Sequence, residues 1–229
     1  MSSNDLQSKI LKYLSEKAHF KQKVYDNTLD VFGTMKEVLR EIAADYNDKL
    51  EGLDRRVMLE FRDGGKFESQ LKVAGDMLMF SMHSNIFEFD REHKVWSLSY
   101  VKKDPTLSYC GIINIYNFLS DSFKYKRYDD LGYLIARIFV NRDKHFFVEG
   151  KRQMGFGVNH FGTSVLDKKT LRKIVETSMA YSMEFDLLVP PYDTVKIASV
   201  AMMNKKIETS KQATGKRLGF KFNTDDVSE

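Results

Sequence analysis

At 229 residues, 42% apolar and 30% charged, the chain is long enough to bury a substantial core and too apolar for an intrinsically disordered protein. Its one cysteine, Cys110, excludes an intrachain disulfide and a multi-cysteine metal site and suits a reducing cytoplasm. A net charge of +4 permits a polyanionic partner without demanding one, and no run of 18 apolar residues offers a membrane span.

The N-terminal stretch MSSNDLQSKILKYLSEK is too polar for a secretory leader, and the first fifty residues read as helix. Asn4, with Gln7 three residues on, is placed to cap it. Leu6, Ile10, Leu14 and Ala18 recur every four residues; Val24, Val31 and Val38 recur every seven, with Met35, Leu39, Ile42 and Tyr46 on the same broad face. Gly33 and the polar break at 17–23 point to two helices or one bent one. The apolar stripe is expected to pack on the protein's own sheet, with a dimer-forming helix pair as the other reading.

At Leu53 the period changes to two. Val57, Leu59 and Phe61, then Phe67, Ser69, Leu71 and Val73, alternate with polar residues across Asp63-Gly64-Gly65, which predicts a hairpin. Further strands are expected at 77–82, 86–89, 95–101 and 109–118. A second hairpin, 133–140 with 145–149, turns on Asn141 to Lys144. A helix capped by Asp167 should run to about residue 183, and another from about 194 to 210. The start of the Asp167 helix carries Lys168, Lys169, Arg172 and Lys173, the wrong sign for the helix dipole. The expected fold is therefore α+β: N-terminal helices, an antiparallel curved meander of seven or eight strands, and C-terminal helices packed on the sheet. In domain terms, 1–52 is a helical segment, 53–222 the α+β domain and 223–229 a disordered tail.

Chemistry-bearing motifs are few. Five histidines show no HxH, HxxxH or HExxH spacing, so no metal site is expected; no GxSxG occurs, and Cys110, inside YCGIINIYNF, reads as core. The loop GFGVNHFG, 155–162, lacks both the glycine spacing and the βαβ unit of a dinucleotide site, but Asn159 and His160 on it are candidate ligand contacts. HFFVEGKR, 145–152, ends in Glu149-Gly150-Lys151. Two carboxylates and a lysine are what Mg²⁺-dependent phosphodiester cleavage needs, so Glu149 and Lys151 with Asp130 (or Asp129) or Asp143 form a candidate nuclease set, with Mg²⁺ as its cofactor. Against it, neither aspartate lies within the first strand, and Glu92-His93-Lys94 repeats the pattern in a turn.

Two basic stretches remain. SFKYKRYDD, 122–130, interleaves Lys124, Lys126 and Arg127 with Tyr125 and other rings; residues 203–222 carry Lys205, Lys206, Lys216 and Arg217. Cations neutralise phosphates while rings stack on bases, so a nucleic acid is one expected partner; a solvated basic face is the plainer reading. The sequence favours a non-enzymatic, cytoplasmic binding or regulatory module without a cofactor. It would engage a polyanion or a protein through the basic C-terminal segment and self-associate through the N-terminal helices. A Mg²⁺-dependent nuclease is one alternative. The other is a small-molecule sensor with Trp96, Tyr109 and Phe139 lining a pocket between the sheet and the Asp167 helix.

Overall fold

A computed structural model describes residues 3–128, 130–150 and 161–184 of the chain. It is an α+β fold built on one antiparallel sheet. A long helical run opens it: α1 (Ser3–Lys12), a π-helical segment (Tyr13–Ala18) and α2 (His19–Lys49). The strands follow as β1 (Glu60–Asp63), β2 (Glu68–Val73), β3 (Asp76–Met82) and the short β4 (Phe87–Glu88). After a small helix, α3 (Ser99–Lys103), come β5 (Tyr109–Leu119), the helical turn α4 (Ser120–Lys124), β6 (Tyr133–Val140) and β7 (Phe146–Gly150). The helix α5 (Lys168–Glu184) closes the described chain. Spatial order is β1-β2-β3-β5-β6-β7, with β4 paired to the start of β5 where β3 has ended.

Both expected hairpins form, for local reasons. Gly65 has φ of 102°, its N–H donates to Asp63 Oδ1, and Gly64 N–H reaches Glu68 O, so the Asp-Gly-Gly turn fixes the β1–β2 register. In the second turn the buried Asn141 accepts from the N–H groups of both Asp143 and His145, each at 3.0 Å. That lock sets Phe139 opposite Phe147 and Ile138 opposite Val148. Ile135 is the extra residue of a β-bulge against Ile115 and Tyr116.

The two faces of the sheet are covered differently. Phe80, Ile113, Ile115, Ile138 and Val148 share a core with Phe32, Met35, Leu39 and Ile42 of α2 and Leu171, Ile174 and Val175 of α5. Each such side chain contributes roughly 1.5–3 kcal/mol on full burial. Gly111 lets α2 approach: a Cβ there would lie 2.1 Å from Thr28 Oγ1. On the other face, Phe139 and Phe147 stack at 4.7 Å beneath Phe89, Val95 and Val101 in a second, aromatic core that also holds Cys110. Beyond that layer the same face presents Asn114, Tyr116 and Arg137, half-buried, with Glu149 exposed.

Four expectations are corrected. Residues 95–101 do not form a strand. Lys94–Ser97 is a 3₁₀ turn capped by the His93 side chain and Ser99–Lys103 is helical, with Val95 and Val101 buried as plugs of the aromatic core. Asn4 lies inside α1 rather than ahead of it. Trp96 and Phe139 belong to the aromatic layer on the far side of the sheet from α5. The residues between the sheet and α5 are instead aliphatic, among them Ile138, Ile174 and Val175. The fourth correction, the fate of the Leu6 stripe, bears on function. The second C-terminal helix, expected at 194–210, and the tail lie outside the described residues.

The basic start of α5 has a packing explanation. Asp167 caps the helix, its Oδ1 2.8 Å from Thr170 N. Lys168 then pairs with Glu41 at 2.6 Å, and Arg172 with Asp45 at 2.8 Å and Glu176 at 2.9 Å. Two of the cations opposed to their own helix dipole, Lys168 and Arg172, are thus matched by acids on α2.

Candidate docking helix

The helical run 3–49 carries two apolar stripes, and the sheet covers only one. From Val24 onward the stripe is buried, with Val24, Met35, Leu39 and Ile42 fully so. Residues 5–15 are all exposed. Leu6 (48%), Ile10 (58%), Leu11 (59%), Tyr13 (54%) and Leu14 (54%) face solvent within nine residues. The expectation that Leu6, Ile10 and Leu14 pack on the sheet is therefore wrong. At 1.5 Å per residue, residues 3–18 form an arm about 24 Å long that leaves the body near Phe20, whose ring meets Tyr109 edge-on at 5.0 Å.

The π segment between arm and body explains why one helix can carry two stripes facing differently. A π turn takes about one residue more than an α turn, so it rotates what precedes it by roughly a quarter turn about the axis. Sequence periodicity on either side of residue 18 is regular, but the phase between the two halves is reset. The arm's polar face carries Asp5, Lys9 and Lys12. At its foot a shallow groove, about 660 Å³, runs between α2 and the chain before β4, lined by Lys21, Tyr25, Asn85 and the partly exposed Phe87.

The carboxylates of the nuclease set are distributed along the second hairpin. Glu149, near the end of β7, is paired across the strands with Arg137 at 3.1 Å, and Arg137 Nε also donates to Asn114 Oδ1. Asp143 sits in the turn at the other end of β7, where it accepts from the Tyr100 hydroxyl at 2.9 Å. Burial first, and then the neighbouring carboxylate, push that hydroxyl's pKa up, against the opposing donation from Asn141. From Phe146 to Glu149 alone is about 10 Å of strand, so the hairpin keeps these two acids apart. Asp130 lies ahead of β6, beyond the opposite end of that strand from Asp143, and accepts from Ser122 Oγ at 2.6 Å. Among the described residues no three His, Cys, Asp or Glu side chains are grouped to hold a metal ion. Lys151 and Asp129, like Asn159, His160, Lys205, Lys206, Lys216 and Arg217, lie outside the described residues. Burial raises the Cys110 thiol well above its usual pKa, in keeping with a core role.

The stretch 122–130 folds as a corner after β5. Arg127 Nε lies 2.8 Å from the Asp130 carboxylate, and its N–H closes on Ser122 O. Lys124 Nζ sits 5.0 Å from the Tyr125 ring centre, and Lys126 takes a φ of 53°. Behind this corner is a polar cluster that the sequence reading missed. Asp76, Asn117 and Asp121 are all buried, and Asn117 Nδ2 donates to Asp76 Oδ1 at 3.1 Å. The signal was present: Asn117 shares strand parity with Ile113 and Ile115, which marks it as inward-facing. Charge among the described residues is extensively paired, since Lys72 meets Glu60, Lys36 meets Asp63 and Arg142 meets Asp104. No described helix is long and apolar enough to cross a membrane. Compared with protein-family models, curated proteins and solved structures, the chain finds no match.

Proposed function

We propose that this chain is a non-enzymatic cytoplasmic binding module that docks a protein partner through its N-terminal helical arm. One observation carries the reading. Five large apolar side chains stand exposed within nine residues of a helix whose continuation is fully packed. Water-exposed apolar side chains occur singly on most proteins, but a contiguous stripe on a projecting helix is the form that helix-docking partners recognise. The carboxylates named for metal chemistry support it indirectly, because Glu149 and Asp143 each have a structural partner at opposite ends of the hairpin.

A polyanion reading draws on Lys124 and Lys126 and on residues 203–222. It receives less support from the described surface, where Arg127, Arg137, Arg142 and Arg172 are each bound to acids. Nucleic-acid anisotropy over a salt series separates the two readings, since phosphate binding falls steeply with salt whereas an apolar stripe does not.

The docking reading is tested by amine cross-linking in cell extract, comparing the wild type with a Leu6→Glu, Ile10→Glu, Leu14→Glu variant. Cross-links from Lys9 or Lys12 to another polypeptide, present in the wild type and lost in the variant, are expected. Identical cross-link sets from the two proteins overturn the reading.

A further inference from the structure

We propose that the occupant of the arm is the arm of a second copy, packed antiparallel about a two-fold axis through Ile10. The inference rests on the docking reading above and narrows it to one partner and one geometry. Its basis is self-complementary spacing. Leu6 and Leu14 lie four residues on either side of Ile10, so a two-fold axis at Ile10 sets each Leu6 against the partner's Leu14 and Ile10 against its own copy. Tyr13 and Leu11 flank this seam and widen it. A parallel pair would instead stack like residues in register, Leu6 on Leu6 and Leu14 on Leu14.

The area is sufficient. Five half-exposed apolar side chains offer on the order of 500 Å² per arm, so a pair buries about 1,000 Å², the lower bound of a specific interface. The usual objection to so short a helix pair is the cost of forming the helices. Here the arm is continuous with α2, whose buried residues anchor it to the sheet, so the helix is largely formed before it meets its partner. Asp5, Lys9 and Lys12 give each α1 a net charge of +1 from those residues, so salt screens a repulsion and should leave the dimer intact or strengthen it. That response is opposite to the one expected of a phosphate-binding surface.

The experiment uses the purified full-length chain. Light scattering across a concentration series should show a monomer–dimer equilibrium. Ile10→Glu, at the centre of the seam, should raise the dimer Kd by about 30-fold or more. Geometry is read from single-cysteine variants joined by oxidation or a short bis-maleimide; the native Cys110 is buried and stays silent. Ile10→Cys should cross-link to itself, whereas Leu6→Cys and Leu14→Cys should cross-link when mixed and not alone. Equal self-linking by all three variants indicates a parallel pair and overturns the antiparallel geometry. A protein that stays monomeric and gives no Ile10→Cys dimer removes the second copy as occupant. In that outcome the docking reading is decided separately, by whether Lys9 and Lys12 cross-link to a different polypeptide in extract.

Discussion

Residues 3–18 and 19–49 belong to one helical run, yet they occupy opposite environments. In α2 the stripe from Val24 to Ile42 is buried against β-sheet and α5; in the arm, Leu6, Ile10 and Leu14 are about half exposed. Both halves have the composition and period of an amphipathic helix. The difference lies in what each half meets. The sheet ends near Tyr109, so the helix outruns its own core, and the π segment turns the overhanging stripe away from the phase of the packed one. Amphipathicity thus identifies a surface that will be covered. It does not say whether the cover comes from the same chain.

Three substitutions sharpen that contrast. The largest effect is expected for Phe32→Ala, on the covered half at 1% exposure: a loss of about 3–5 kcal/mol in chemical denaturation, from lost transfer energy and the cavity left behind. A loss below about 1 kcal/mol would mean that α2 is less tightly packed than described. Next comes Gly111→Ala, which places a methyl 2.1 Å from Thr28 Oγ1 and forces α2 away from β5. It should cost about 1–3 kcal/mol, with only part of the loss recovered on adding Thr28→Ala, which removes Oγ1 and Cγ2 but leaves a Cβ 2.7 Å from the new methyl. The smallest effect is expected for Ile10→Ala on the uncovered half: within about 0.5 kcal/mol of wild type, measured at concentrations where the chain is monomeric. A large destabilisation there would show that the arm packs on its own body.

Much of the sheet was legible in the sequence. Period-two alternation with Asp63-Gly64-Gly65 and with Asn141 to Lys144 located both hairpins, and the alternation in HFFVEGKR assigned Phe146 and Val148 to one face and Phe147 to the other. Residues 95–101 were misread because a 3₁₀ turn and a five-residue helix are too short to display a helical period, while buried valines six apart imitate an alternating strand. The acids Glu149, Asp143 and Asp130 could be named from the sequence but not placed relative to one another. Strand pairing sets their separation and gives Glu149 its partner Arg137, while Asp143 is held by Tyr100, forty-three residues away in the chain. The buried Asp76–Asn117 contact was missed for a related reason, since residues 83–108 separate β3 from β5 in the chain.

The sequence alone determined the local structures: the helical run, the two hairpins, the Asp167 cap and the apolar periods, all of which depend on neighbours a few residues away. Only the tertiary structure decided which apolar face was buried, which acids were paired and that the basic start of α5 faces Glu41 and Asp45. Those outcomes depend on long-range packing, in which the extent of the sheet and the π segment fix how far the core reaches. The arm is the place where that reach ends, and its stripe is what remains to be covered.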